Sequence, residues 1–326
     1  MNVDILDRNL ALETVRVTEV AAIACSLHMG RGNEKAADQS AVNSMRNYLN
    51  QLMISGKVVI GEGERDKAPM LYIGENVGMG GPKVDIALDP LEGTTITAKG
   101  GENALSVLAM GEEGSFLHSP DIYMHKIAFG KNYQNLEIDP EKPADEIVKT
   151  FAKYADIKNE SVVVCILDRD RHKQLINLVR STGARIKLIP DGDVSAVIAT
   201  SVDNSGIDIY MGIGGSPEGV LAAAALRCLG GKIYTKLIFE NNEVFERAQS
   251  MGIKNKDTIY QTNDLAKGDV MFSATGVTDG TLLKGVRINN NYALTHSVVM
   301  RSKTSTIRYI SANHNLNIKK YRSYFK

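Results

Sequence analysis

Apolar residues near the start of the chain recur every three to four positions, the spacing of an amphipathic helix. The positions after Asp7 that share this stripe are Leu12, Val15, Val20, Ile23 and Leu27, and Gly30 and Gly32 follow as a stop signal. A second stripe comprises Val42, Met45, Leu49 and Leu52, with Asp38 near its beginning. We therefore predict two consecutive helices.

The pattern then changes to strands. Residues 57–60 are β-rich and apolar, and residues 84–89 alternate between apolar and other positions. An acidic cluster follows each strand, first at residues 61–66 and then at residues 89–94. Residues 103–110 and 121–129 are predicted to be further strands of the same layer.

The second half of the chain alternates strands and helices, which predicts another α/β sheet. The expected strands are 161–167, 184–189 and 206–213, and the expected helices are 168–181, 192–200 and 216–228, after a helix from Ala144 to Ile157. A β-prone stretch follows after about residue 270. We expect a domain of residues 1–158 and a C-terminal α/β domain of residues 159–326.

Composition narrows the functional classes. The 326 residues contain 38 Lys plus Arg and 38 Asp plus Glu, so no net charge attracts the chain to nucleic acid or to an anionic membrane. Three widely spaced cysteines match no zinc or redox motif and indicate a reducing compartment. The first residues contain acids and no apolar run, so we expect a cytoplasmic protein without a secretory leader.

The segment from Asp89 to Thr94 has the chemistry of a cation and phosphate site. Two carboxylates, Asp89 and Glu92, flank a rigid proline, and Gly93 and Thr94 offer backbone amides and a hydroxyl. Mg²⁺ and Mn²⁺ prefer such oxygen ligands. The alternative is a capped turn without a ligand. Residues 61–66 hold three acids beside two glycines, and a solvated acidic loop is the alternative there.

Three further segments join a strand to a helix and admit both a binding and a structural interpretation. Residues 212–219 place three glycines before a helix, which suits a ligand, although Ser216 as N-cap and Pro217 as first helical residue need none. Residues 168–172 place two arginines at a helix start, where a bound phosphate or the neighbouring aspartates would compensate them. Residues 191–193 suit sugar hydroxyls or a simple helix cap.

Taken in order, these segments resemble the class II fructose-1,6-bisphosphatases of the lithium-sensitive phosphatase superfamily, over nearly the whole chain. The motifs that carry the resemblance are residues 16–19, 30–32, 37–38, 60–64, 68–75, 89–94, 190–193, 212–219 and 272–276. Residues 169–171, Arg-Asp-Arg, depart from the Lys-Pro-Arg common in the family.

The resemblance implies roles for individual residues. The implied ligands of Mg²⁺ or Mn²⁺ are Asp38, Glu62, Asp89, Glu92 and Glu218. The implied substrate contacts are Glu92, Gly93, Thr94, Tyr123, Arg169, Asp170, Arg171, Asp191, Gly192, Asp193 and Gly215. We expect Thr94, with an acidic partner such as Glu62 or Asp66, to orient or deprotonate the attacking water.

The resemblance also implies a layered α-β-α-β-α sugar-phosphatase fold, in which two mixed sheets have helices packed around and between them. The expected reaction is hydrolysis of the 1-phosphate of fructose 1,6-bisphosphate in gluconeogenesis, by a homodimer or homotetramer with no nucleic-acid or membrane partner. The C-terminal domain is expected to contribute Glu218 to the metal site. The alternatives are a sedoheptulose-1,7-bisphosphatase or dual-specificity enzyme, an inositol-phosphate phosphatase, and a non-catalytic sugar-phosphate sensor.

Overall fold

A computed structural model describes residues 8–63 and 70–317 of the chain. The chain divides into two compact units. One contains the residues up to Leu117 together with those from Lys267 onward, and the other spans His118–Ala266. The second unit is therefore inserted into the first, and neither of its two boundaries lies at the expected residue 158.

The secondary structure is mixed α/β. The α-helices of the described residues are α1 Arg8–Ser26, α2 Glu34–Leu49, α3 Thr94–Lys99, α4 Ala144–Ala155, α5 Lys173–Ser181, α6 Asp193–Ala199, α7 Ser216–Leu229, α8 Asn242–Ser250 and α9 Thr262–Leu265. The strands are β1 Ser55–Ile60, β2 Asn76–Val77, β3 Lys83–Glu92, β4 Leu105–Glu112, β5 Tyr123–Phe129, β6 Val163–Leu167, β7 Arg185–Ile189, β8 Ile209–Gly215, β9 Lys232–Leu237, β10 Ile259–Gln261, β11 Val270–Gly276, β12 Arg287–Asn289, β13 Tyr292–Arg301 and β14 Thr306–Asn315.

The first unit is built on a mixed sheet of order β12-β13-β11-β4-β3-β1-β2, with β14 paired to β13. Strands β1 and β3 are parallel, and the other pairs are antiparallel. Val20 and Ile23 of the α1 stripe and the apolar stripe of α2 join one buried core with the sheet, with Ile23, Met45 and Leu49 almost wholly buried. Leu12 of the predicted α1 stripe is instead 48% exposed. This core fixes the ends of β1 and β3, where the acidic clusters lie.

The second unit has its own mixed sheet, of order β10-β9-β5-β8-β6-β7. Strand β6 is parallel to β7 and β8, and β5 is antiparallel to β8 and β9. The alternating pattern predicted α5, α6, α7 and the strands between them to within a few residues. Instead of one helix over 168–181, a 3-10 turn at Asp170–His172 precedes α5.

The sheet expected for residues 121–129 is wrong, and the strands after residue 270 do not belong to a C-terminal domain sheet. Strand β5 pairs with β8 and β9 in the second sheet, not with the β3–β4 layer. The β-prone stretch after residue 270 supplies β11 to β14, and β11 pairs with β4 of the first sheet. The reason is that local sequence favours a strand without specifying its partner. No helix in the described ranges has the length and apolar character needed to cross a membrane.

Candidate active site

The segment Asp89–Thr94 lies where β3 ends and α3 begins. Regular pairing of β3 with β4 is interrupted between Asp89 and Glu92. The Asp89 carboxylate accepts a hydrogen bond from the backbone N–H of Leu91 at 2.9 Å, which closes a tight turn around the proline. Gly93 then adopts a left-handed conformation, with φ of 93°, as the residue before α3. Glycine suits this position because it has no Cβ to strain the backbone.

This turn brings two carboxylates together. Oxygen atoms of Asp89 and Glu92 lie within 4.8 Å of each other, and Glu92 is buried while Asp89 is half-buried. Two like charges at this distance repel each other unless a cation or a proton compensates them. Hard divalent cations bind carboxylate oxygens, so Asp89 and Glu92 have the ligand chemistry of a metal site. Thr94 is the first residue of α3 and is half-buried beside them.

Glu62 follows the end of β1 and is also half-buried. Its backbone N–H donates to the carbonyl of Leu71 at 2.9 Å. Gly61 is required here because a Cβ at that position would collide with the same carbonyl oxygen. Residues 61–63 are thus held against the segment that begins at Met70. Asp66, a predicted catalytic residue, lies outside the described residues.

Asp38 lies in α2, a helix that is capped by Asn33, whose side chain accepts from the backbone N–H of Ala36. Asp38 is half-buried, and burial raises the pKa of its carboxyl group. Burial also raises the pKa of the Cys25 thiol of α1, and the negative charges of Asp38 and Asp89 raise it further. Asp38 and Asp89 therefore both act on the Cys25 thiol.

In the second unit, Arg171 is fixed by three contacts. Its Nε and Nη2 donate to the carbonyl of Ile213 at 3.1 and 2.8 Å. Its guanidinium carbon lies 4.8 Å from the centre of the Tyr123 ring, which is a cation–π distance. Both side chains remain exposed, Tyr123 to 46%. An exposed arginine held by the backbone and by an aromatic ring has the features of an anion-binding group.

The other members of the 169–171 segment have different partners. Arg169 Nη2 lies 3.8 Å from Asp191 Oδ1, so these two predicted substrate contacts are neighbours. The Asp170 side chain is 94% exposed and forms an ion pair with Lys173 at 2.8 Å. Hydrogen bonding to Lys173 lowers the pKa of the Asp170 carboxyl group. Asp170 thus compensates a basic residue at the start of α5.

Asp193 is buried, and its carboxylate has a partner that the sequence did not indicate. Lys126 of β5, itself fully buried, donates to Asp193 Oδ2 at 2.6 Å. Gly192 precedes α6 in a left-handed conformation, with φ of 85°. The strand alternation of Met124, Lys126 and Ala128 could have placed this lysine on a buried face. The Asp193 side chain therefore connects α6 to β5.

The glycines of residues 212–219 make room for side chains of the same unit. A Cβ at Gly214 would collide with Asp193 Oδ2, and a Cβ at Gly215 would collide with Glu218 Oε2. The Glu218 carboxylate therefore folds back over Gly215 from the first turn of α7. Gly215, not Ser216, precedes α7, and Ser216 Oγ bonds instead with the carbonyl of Pro120. The alternative in which Ser216 caps α7 is therefore wrong in its residue, because Ser216 is the first residue of the helix.

Acidic side chains at strand ends and an exposed, fixed arginine on an α/β framework are features of a sugar-phosphate phosphatase. The family model described as bacterial fructose-1,6-bisphosphatase, glpX-encoded, matches residues 8–314, so the chain belongs to this family of phosphoric monoester hydrolases.

Two similar proteins cover almost the same length. One from Synechococcus sp. (strain JA-2-3B'a(2-13)) is 41% identical over 338 residues, which cover 95% of this chain and 96% of that protein. Another, from Synechocystis sp. (strain ATCC 27184 / PCC 6803 / Kazusa), is 42% identical over 335 residues, with 95% and 97% covered. Both are named D-fructose 1,6-bisphosphatase class 2/sedoheptulose 1,7-bisphosphatase.

Proposed function

We propose that this protein hydrolyses the 1-phosphate of fructose 1,6-bisphosphate to give fructose 6-phosphate and inorganic phosphate. Membership of the fructose-bisphosphatase family supports this reaction. The structural observation that carries it is the close pair of carboxylates, Asp89 and Glu92, immediately before the backbone amides that begin α3. Such a turn suits a phosphate and a divalent cation together.

The proposed ligands of Mg²⁺ or Mn²⁺ are the carboxylates of Asp38, Glu62, Asp89, Glu92 and Glu218. Bound divalent ions supply charge neutralisation for the phosphate and lower the pKa of a coordinated water. The half-buried or buried positions of these carboxylates favour tight binding, because a partly desolvated charge interacts more strongly with a cation.

The chain's own residues position the reacting groups. In our proposal Glu62 holds the attacking water and accepts its proton, with Thr94 donating or accepting a hydrogen bond through its hydroxyl group. Asp66 is the alternative acidic partner. The backbone N–H groups of Gly93 and Thr94 bind the oxygen atoms of the phosphate that reacts.

The second unit is proposed to hold the other end of the substrate. Arg169 and Arg171 bind the distal 6-phosphate, and the hydroxyl of Tyr123 donates a hydrogen bond to the same phosphate. Asp191, Gly192 and the backbone of Asp193 contact sugar hydroxyls, as does Gly215. Asp170 belongs to the same segment and supports it through Lys173. Binding energy at the distal phosphate then contributes to the positioning of the 1-phosphate.

A second proposed activity is hydrolysis of sedoheptulose 1,7-bisphosphate. It is favoured by the names of the similar proteins, which include sedoheptulose 1,7-bisphosphatase. Both substrates carry a phosphate at each end of a ketose, so the arginines would meet the distal phosphate in either case. We also propose that the protein acts in gluconeogenesis in the cytoplasm, as a homodimer or homotetramer.

The test is phosphate release from matched substrates with Mg²⁺ or Mn²⁺, repeated with EDTA. We expect release from fructose 1,6-bisphosphate, comparable release from sedoheptulose 1,7-bisphosphate for a dual-specificity enzyme, and little from inositol 1-phosphate. Failure to hydrolyse either ketose bisphosphate with both metals would refute the proposal and favour a sugar-phosphate sensor. Preference for inositol 1-phosphate would favour the inositol-phosphate alternative.

Two variants assign the residues. Glu218→Gln should raise the Mn²⁺ concentration needed for half-maximal activity, because a neutral amide is a weaker ligand. Unchanged activity and metal dependence would remove Glu218 from the site. Arg171→Ala should lower the preference for bisphosphates over monophosphates, whereas Arg180→Ala, another exposed arginine of the second unit, should not. Equal ratios for all three proteins would remove Arg171 from the distal site.

A further inference from the structure

His172 is buried and uses both of its ring nitrogens. Nδ1 lies 2.7 Å from the carbonyl oxygen of Leu167, at the end of β6. The backbone N–H of Ile213 donates to Nε2 at 2.8 Å. A carbonyl only accepts and a backbone N–H only donates, so the geometry requires a neutral imidazole with its proton on Nδ1. Neither contact has a role in the function proposed above.

Ile213 occupies a special place on its strand. β6 pairs with β8 only at Ile209 and Tyr210, so the side of β8 that faces β6 lacks a strand partner at Ile213. There, His172 accepts from the N–H of Ile213, while Arg171 donates twice to its carbonyl oxygen. Two consecutive side chains therefore satisfy both polar backbone groups of one residue.

This arrangement determines where Arg171 lies. The backbone bonds occupy only part of its guanidinium, which has further N–H donors for an anion. Tyr123 stacks on the guanidinium from β5, which pairs with β8 on its other side. The position of Arg171 thus depends on where Ile213 is held, and His172 links Ile213 to the end of β6.

We propose that His172 is a positioning residue for the distal phosphate site, acting through Ile213 on Arg171. The inference rests on the proposed function, in which Arg171 binds that phosphate. Loss of the Nε2 acceptor would leave the N–H of Ile213 without its partner on the side of β8 away from β5, and Arg171 would then lose part of its preorganisation. Preorganised donors bind more tightly because less ordering is required on binding.

The charges around His172 are consistent with a neutral ring. Burial lowers the pKa of His172, and the nearby Arg171 and Arg169 lower it further. The hydrogen bond to Leu167 and the charge of Asp193 act in the opposite direction. The pKa of His125, on β5, is also lowered, mainly by burial and to a smaller extent by His172.

Two substitutions separate the two hydrogen bonds. The side-chain oxygen of His172→Gln reaches the position of Nε2 and keeps an acceptor for Ile213. The shorter amide of His172→Asn mimics Nδ1 and keeps only the bond to Leu167. The measurement is the affinity of the full chain for fructose 6-phosphate by calorimetry, because this ligand carries the distal phosphate alone.

We expect His172→Asn to bind fructose 6-phosphate about fivefold more weakly than the wild type, the effect of losing one hydrogen bond. His172→Gln should bind within about twofold of the wild type. Thermal unfolding of both variants shows whether they fold. Equal affinities for the wild type and His172→Asn, or equal weakening in both variants, would overturn the inference.

A pH series adds a readout that a purely structural role would not change. Protonation of His172 turns Nε2 into a donor and removes the acceptor for Ile213. Glutamine does not titrate, so the affinity of the wild type relative to His172→Gln should fall as the pH drops below the ordinary range of histidine. A constant ratio in folded proteins would overturn the inference.

Failure of the inference is distinguishable from failure of the proposed function. Phosphate release from fructose 1,6-bisphosphate with normal fructose 6-phosphate binding by His172→Asn leaves the function standing and overturns the inference. If His172→Asn binds fructose 6-phosphate more weakly than the wild type and His172→Gln, but the wild type releases no phosphate from fructose 1,6-bisphosphate, the inference is supported and the proposed function is refuted. A wild-type protein that does not bind fructose 6-phosphate overturns the inference.

Discussion

Lys126 Nζ lies 2.6 Å from Asp193 Oδ2, with only 1% and 7% of the two side chains exposed. The hydroxyl of Tyr210 lies 3.3 Å from the same carboxylate oxygen. A buried charge is tolerated when an opposite charge and hydrogen bonds compensate it. The pair therefore connects β5 to the start of α6, directly after two of the predicted substrate contacts, Asp191 and Gly192.

Replacing Lys126 with methionine should destabilise the second unit by about 3 kcal/mol, because the substitution leaves a buried carboxylate without its cation. The double variant Lys126→Met/Asp193→Asn should recover part of this loss, since no buried charge then remains at the site. Urea denaturation followed by circular dichroism measures the free energy of unfolding for both proteins.

The matched control is Lys149→Met, which removes an ion pair with Asp145 on the surface of α4. Lys149 is 55% exposed, so its loss should change the free energy of unfolding by less than about 1 kcal/mol. Similar losses in the free energy of unfolding for the two lysine substitutions would mean that burial does not increase the energetic cost of breaking the Lys126 pair.

Gly214→Ala should also act through Asp193. An added Cβ would collide with Asp193 Oδ2 and lie 3.1 Å from Lys126 Nζ. We expect a loss of about 1–3 kcal/mol in the free energy of unfolding, the usual effect of overpacking. Gly101→Ala is the control, because its Cβ would meet its nearest atoms at 3.4 Å or more, an ordinary contact distance. Equal stability of the two variants would contradict the packing argument.

Helices and strands were predictable where local periodicity is strong. The helix α1 and the alternation that produces β6 to α7 follow from side-chain spacing alone, although Leu12 of the predicted α1 stripe is exposed. Strand partners were not predictable in this way. β5 and β11 each pair with strands that are distant along the chain, so the sheet to which each belongs depends on contacts that a local pattern does not contain.

The site shows the same division. Carboxylates such as Asp89 and Glu92 could be identified from residue type and position after a strand. Lys126 and His172 escaped notice because their partners come from other elements: Asp193 for the lysine, and Leu167 and Ile213 for the histidine. The glycines before α7 were interpreted as suiting a ligand, and in the structure the side chains of Asp193 and Glu218 lie against Gly214 and Gly215.

The half-buried His125 should make the protein less stable in acid. Burial and the neighbouring His172 lower the pKa of His125 below its ordinary value of 6.5. The unfolded chain then binds more protons than the folded chain below pH 6.5, so this contribution to stability is present above that pH and is lost as the pH falls toward the folded-state pKa.

His125→Gln should therefore lose less stability than the wild type between pH 7 and pH 5, conditions bracketing the ordinary histidine pKa of about 6.5. Denaturant unfolding at both pH values measures the difference. Parallel losses in the two folded proteins would show that His125 does not contribute to the acid sensitivity.

Glu92→Gln should weaken the stabilisation of the protein by Mn²⁺. Without metal, the variant should be at least as stable as the wild type, because the substitution removes a negative charge close to Asp89 in a buried position. With Mn²⁺ at about 100 times its dissociation constant, the wild type should gain about 2.7 kcal/mol, and the variant should gain less because its affinity is lower. Differential scanning calorimetry at increasing Mn²⁺ concentrations measures both effects.

Glu112→Gln is the control, because Glu112 is an exposed glutamate at the opposite end of the neighbouring strand β4. It should respond to Mn²⁺ as the wild type does. An undiminished Mn²⁺ response in Glu92→Gln would exclude Glu92 as a ligand and would leave Asp89 as the only proposed ligand in the turn after β3.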